Sequence, residues 1–123
     1  MERAIGIGGV FFRARDPEKL ANWYRDQLGI EIGPGFNGHA FEATGQTIWS
    51  IFPMNTDYFG PSLKGLMINY RVESRDKMLA QLRAAGAAVD DELQDGEYGK
   101  FGWATDPEGN RFEIWEPPPA PTA

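Results

Sequence analysis

Cysteine is missing from this 123-residue chain, histidine occurs once, at His39, and basic residues are outnumbered, 12 Lys and Arg against 18 Asp and Glu. Without cysteine there are no disulfides, thiolate metal sites or thiol nucleophiles, and a reducing compartment, the cytoplasm, is the expected location. The net charge of −6 and the scatter of the basic residues argue against a nucleic-acid partner, whose phosphates call for clustered Lys and Arg. No run approaches the roughly 20 apolar residues of a membrane helix, and no charged segment followed by an apolar run opens the chain. Neither a membrane partner nor an export signal is expected.

Hydrophobic residues make up 41% of the sequence, enough for one domain with a real core. A weak internal repeat organises it. Shifted by 58 residues (67 minus 9), Gly9-Val10-Phe11-Phe12-Arg13-Ala14 falls on Met67-Ile68-Asn69-Tyr70-Arg71-Val72, and Lys19-Leu20-Ala21 falls on Lys77-Met78-Leu79. Both copies read as an apolar strand, a polar junction and an amphipathic helix closed by a glycine, Gly29 and Gly86.

In the first copy, Ile7–Ala14 reads as a strand. Asp16-Pro17-Glu18 supplies an N-cap, a proline at N1 and an acidic first turn for a helix over Pro17–Leu28, with Leu20, Tyr24 and Leu28 as its apolar stripe. Short strands are predicted at Glu31-Ile32, His39–Glu42 and Thr47–Phe52, separated by turn residues. The second copy predicts a strand over 66–73, a helix from Arg75 to Ala85, a weak strand near Ala88, and strands over 99–105 and 110–116. A four-residue turn at Asp106–Gly109 would pair Thr105 with Asn110 and send Trp103 to the helix side, into the core. One domain over residues 1–116 is expected, with module one at about 5–53, a linker at about 54–64, module two at about 65–116, and a flexible proline-rich tail at 117–123. In the linker, Tyr58 and Phe59 either anchor the loop to the core or form an aromatic wall over a pocket.

The run from Asp16 to Gly29, DPEKLANWYRDQLG, resembles the first helix of the glyoxalase, bleomycin-resistance and ring-cleaving dioxygenase superfamily, also called vicinal oxygen chelate proteins. Asp106–Ile114, DPEGNRFEI, resembles that superfamily's last hairpin. The resemblance implies an α+β fold of two tandem βαβββ modules, their strands curled into an open barrel with helices on the convex face and a ligand cavity on the concave one. Metal-dependent members hold a divalent ion with a histidine on the first strand of each module and a carboxylate near the last strand of each. Carried over, those positions fall on Gly9, Met67, Trp49 and Glu113, and only Glu113 can ligate. One carboxylate is too few for a catalytic ion, and one histidine cannot assemble the two-histidine, one-carboxylate triad of ring-cleaving iron enzymes. Neither a metal nor another cofactor is therefore expected, although adventitious capture at Glu113 and Asp106 stays open. His39, on the second-strand region, reads as a polar side chain beside a turn or as a substitute ligand.

Strand alternation puts Gly9, Phe11 and Arg13 on one face of the first strand and Met67, Asn69 and Arg71 on its mate. Trp49 and Ile51 are assigned to the same cavity face, as are Arg111, Glu113 and Trp115. Such a lining suits an aromatic or flat organic ligand, and Gly9 is expected to leave floor space. Arg13 either binds a ligand carboxylate or ends a strand at the surface; Glu113 either acts as a general base or pairs with Arg13, Arg71 or Arg111. The leading reading is a metal-independent small-molecule-binding protein. The alternatives are a glyoxalase-type lyase or isomerase using Glu113, and a partner-binding module with a vestigial pocket. The resemblance also implies a homodimer.

Overall fold

The computed structural model describes residues 1–43, 45–61 and 65–119, and the side chains of Gln27, Leu28 and Ala43 are not described. The element order is β1 (Ala4–Ala14), α1 (Pro17–Leu28), β2 (Gly38–Ala43), β3 (Gly45–Pro53), β4 (Leu66–Val72), α2 (Arg75–Ala84), β5 (Ala88–Val89), β6 (Gln94–Gly96), β7 (Gly99–Thr105) and β8 (Arg111–Glu116). These elements form two compact units. One spans Gly8–Ile68, and the other joins Met1–Ile7 to the chain from Asn69 onward.

In the first unit, β3 lies between β2, antiparallel, and β1, parallel. A parallel pair needs a crossover, and α1 supplies it. Asp16 caps the helix by accepting the Lys19 N–H at 3.0 Å, Pro17 occupies the first turn where a missing donor costs nothing, and Gly29 closes it at φ 68° with its N–H on the Arg25 carbonyl. Leu20, Ala21 and Tyr24 pack on Phe12, Ala14, Trp49 and Ile51. Burying Ile51 alone is worth about 2 kcal/mol. The part of the expected stripe that falls on Leu28 lies outside the described side chains.

The second unit is built on β8, parallel to β4 and antiparallel to β7, with β5 and β6 both pairing onto β7. Ser74 caps α2 through Lys77, at the same repeat offset that Asp16 holds before α1. Met78 and Leu79 bury their side chains against Val72 and Ile114, with Tyr70 and Phe112 at the margin. Arg75 is buried on the first turn of α2, where its guanidinium donates to Asp95, Asp76 and the Phe101 carbonyl. Burial alone would lower its pKa, but the hydrogen bonds and charges of Asp95 and Asp76 hold it above the ordinary value. Glu2 ties the start of the chain down, its carboxylate accepting the N–H groups of Glu73 and Ser74 and its backbone engaging Gln81.

Glu31-Ile32 forms no strand; Ile32 packs beside the α1 core from irregular backbone instead. β6 was not anticipated, because Gln94, Asp95 and Gly96 are all exposed and carry no apolar alternation. The β7–β8 loop closes one residue wider than a four-residue turn. Asp106 accepts the N–H groups of Glu108 and Asn110 at 2.9 Å and donates its own N–H to the Asn110 carbonyl, and Gly109 takes φ 84°. Thr105 therefore pairs with Arg111, and Trp103 with Glu113. The tail expectation falls in part on residues 120–123, outside the described chain.

Candidate functional site

In the second unit the register fixes which side chains share a face. Asn69 stands beside Glu113 and Arg71 beside Trp115 in the parallel pair, while Trp103 and Phe101 oppose Glu113 and Trp115 in the antiparallel one. Partners in register point the same way, so these residues occupy the face of the sheet away from α2. At its centre Glu113 is 0% exposed and Asn69 1% exposed, and the Asn69 amide donates from Nδ2 to Glu113 Oε1 at 2.5 Å. A hydrogen bond of this kind offsets part of the cost of burying a polar group. The aromatic surround is fixed as well. The Trp115 indole donates to the Tyr98 carbonyl at 2.8 Å and lies parallel to Phe101, and Arg111, ion-paired to Asp90 at 2.7 Å, covers Trp103 from 5.2 Å. Arg71 lies against Gly6, where a Cβ would come within 2.5 Å of its guanidinium.

Trp103 was expected in the helix-side core. It is buried, 2% exposed, but on the Glu113 face, because the wider loop slides the register by one residue and flips every side chain of the strand.

The first unit carries the other predicted residues. Gly9, Phe11 and Arg13 share a face with their register partners Ile48, Ser50 and Phe52. Phe11 meets Phe52 at 5.3 Å, Phe52 stacks on Tyr58 and tilts against Phe59, and the Arg13 guanidinium sits 4.7 Å from the Phe59 ring while donating to the Thr56 carbonyl. Phe59, 1% exposed, thus anchors its loop, and Tyr58 and Phe59 both join the Arg13 face. Met67 is buried in this unit.

Trp49 and Ile51 do not lie on that face. Trp49 contacts Phe12 at 5.5 Å and Tyr24 at 4.9 Å, and Ile51 sits in the α1 core. The repeat explains the slip. Phe11 and Asn69 are repeat mates, and their register partners are Ser50 and Glu113, so the last strands are offset by 63 residues (113 minus 50) and Ser50, not Trp49, is the counterpart of Glu113. β3 gives no clue, since both of its faces are apolar enough to bury. Gly9 leaves no floor space either. A Cβ there would lie 2.7 Å from the Ile48 carbonyl oxygen and 2.8 Å from the Phe11 ring.

The residues at the family's metal-ligand positions do not fit a divalent ion. Gly9 and Met67 have no hard donor, Ser50 is a neutral hydroxyl, and among the described residues no three His, Cys, Asp or Glu side chains come together. His39 packs its ring on Phe41, on the face that holds Trp49. No helix among the described residues is long and apolar enough to cross a membrane.

Methylmalonyl-CoA epimerase from Mycobacterium tuberculosis has a similar structure, with 18% identity and a TM-score of 0.68 over 94% of this chain and 90% of that one. A variant of the Streptomyces coelicolor methylmalonyl-CoA epimerase, solved in complex with 2-nitronate-propionyl-CoA, gives 15% identity and a TM-score of 0.73 over 98% of this chain and all of that one. A Legionella pneumophila structure described as an NAD-dependent benzaldehyde dehydrogenase gives 20% and 0.62, over 89% and 98% of the two chains. At such identities the likeness shows a shared α+β fold alone. No curated protein matches the sequence. The model of the glyoxalase-like domain, however, matches residues 9–115, nearly the whole chain, and the protein belongs to that family, within the vicinal oxygen chelate superfamily.

Proposed function

We propose that this protein binds a small organic ligand with a planar or aromatic part, without a metal ion, on the Glu113 face of the second unit. The observation that carries this reading is the buried Asn69–Glu113 pair set among Trp103, Trp115 and Phe101. A sheet face that needs only to be covered is filled most cheaply by aliphatic side chains. This one spends its centre on a carboxylate and an amide and its margins on aromatic rings, the composition of a small-molecule site. Arg71 and Glu113 orient the ligand in this reading. The protein works as a cytoplasmic homodimer, its absent cysteines fitting a reducing compartment and its β2 edge, with Phe41 exposed, offering pairing groups to a second copy.

Tryptophan fluorescence tests the binding reading directly. Titration with 1-naphthoate and with naphthalene should quench Trp103 and Trp115, and Trp103→Phe should remove a large part of the signal. No saturable quenching by either probe up to millimolar concentration would defeat it. Light scattering at the monomer mass would contradict the dimer.

The same pair supports one other reading, in which Glu113 is the general base of a lyase or isomerase. Its carboxylate is held by an amide and shielded from water, as a proton-abstracting group needs. The epimerase likeness makes methylmalonyl-CoA a sensible probe. In deuterium oxide the wild type should exchange the proton α to the thioester carbonyl and Glu113→Gln should not; equal exchange by both ends this mechanism.

A further inference from the structure

The Asn69 amide has two kinds of atom and only one is used. Its Nδ2 donates to Glu113, while its Oδ1 has no hydrogen-bond partner among the described residues, although the side chain is 1% exposed. The orientation of the amide follows from its partner. The nitrogen donates to Glu113 Oε1, so the oxygen faces the other way. A buried carbonyl oxygen left unmatched is costly, and such a group in a native core calls for a reason.

We propose that Asn69 Oδ1 receives a hydrogen bond from the ligand, and that the ligand is therefore a planar ring bearing an N–H donor of the amidine or 2-aminopyridine kind rather than a carboxylate. This deepens the binding reading above and rests on it. Three features of the face favour a donor. The unmatched oxygen lies next to a carboxylate, so an acceptor-only group would set lone pairs against lone pairs and charge against charge. The Trp103 ring already holds a cation, the Arg111 guanidinium, over its face, so the aromatic surround is one that favours positive groups. The two arginines of this face already have places, Arg111 on Asp90 and Trp103, Arg71 against Gly6. Because the pair is closed to solvent, entry requires half-buried neighbours such as Arg71 and Phe101 to swing aside.

Benzamidine, benzamide and benzoate share one ring and one shape but run from donor-only to acceptor-only. Added to ¹⁵N-labelled protein, benzamidine should shift the Asn69 side-chain amide resonances and bind at least tenfold more tightly than benzoate, the scale of one charge-assisted hydrogen bond. Asn69→Leu, close in volume, should lose about tenfold in benzamidine affinity while its melting transition stays cooperative; Asn69→Ser serves if the leucine variant does not fold. Benzoate binding as well as benzamidine, or benzamidine binding with the Asn69 resonances unmoved, overturns this inference and leaves the aromatic-ligand reading intact. If none of the three moves those resonances, water is the only partner of Oδ1 and the inference falls. The broader reading falls with it only if the naphthalene probes fail too.

Discussion

The two units set the same beginning to different ends. In each, a strand runs into a capped helix at one repeat offset, Asp16 before Pro17 and Ser74 before Arg75, and an arginine stands three residues before the cap. Beyond that the faces turned away from the helices diverge. Phe11 and Ser50 stand where Asn69 and Glu113 stand, so the first unit fills its face with Phe11, Phe52 and Phe59, and the second places a carboxylate and an amide among tryptophans. The lesson is about which constraints a duplicated frame keeps. Caps and helix-side packing set local geometry that both copies need in order to fold, whereas the opposite face is constrained only by what it covers or binds.

Five substitutions test this difference between the two units. Trp103→Ala removes a buried ring from the polar face of the second unit and should cost about 4 kcal/mol in urea unfolding; a loss below 1 kcal/mol would mean that the ring fills no irreplaceable space. Gly9→His, which restores the family's first metal-ligand residue, should cost about 3 kcal/mol, because its Cβ meets the Ile48 carbonyl; a stable variant that retains nickel after dialysis would show that the first face was closed to metal by one residue only. Trp49→Ala should cost about 2 kcal/mol and leave naphthoate affinity unchanged, since Trp49 serves the α1 side; weakened binding would return it to the ligand face. Asp16→Ala and Ser74→Ala should each cost about 1 kcal/mol and about equally, as expected of one inherited cap; a twofold disparity would break the equivalence of the two frames.

Most of the frame was legible because its signals are local. Asp16-Pro17-Glu18 and Gly29 bracket α1, and the repeat carries the same start to α2. The two face errors, Trp49 and Trp103, come from one cause. Each is a slip of a single residue in strand register, and register is set by loop closure and by partners far along the chain. Asp106 widening its loop by one residue cannot be read from a turn motif, and a strand apolar on both faces, as β3 is, does not announce which side meets the helix. Glu113 and Asn69 were legible as face-mates through alternation. Their direct bond, and the oxygen it leaves over, belong to side-chain placement that no pattern encodes.

The Glu2 clamp bears on the order in which the protein is made. Its partners lie 71, 72 and 79 positions further on, so a chain growing at roughly 5–20 residues per second spends about 4 to 16 s with Glu2 waiting for the last of them, Gln81, to be synthesised. Every residue from Gly8 to Ile68 has been added by then. The newborn chain can complete its middle before its beginning.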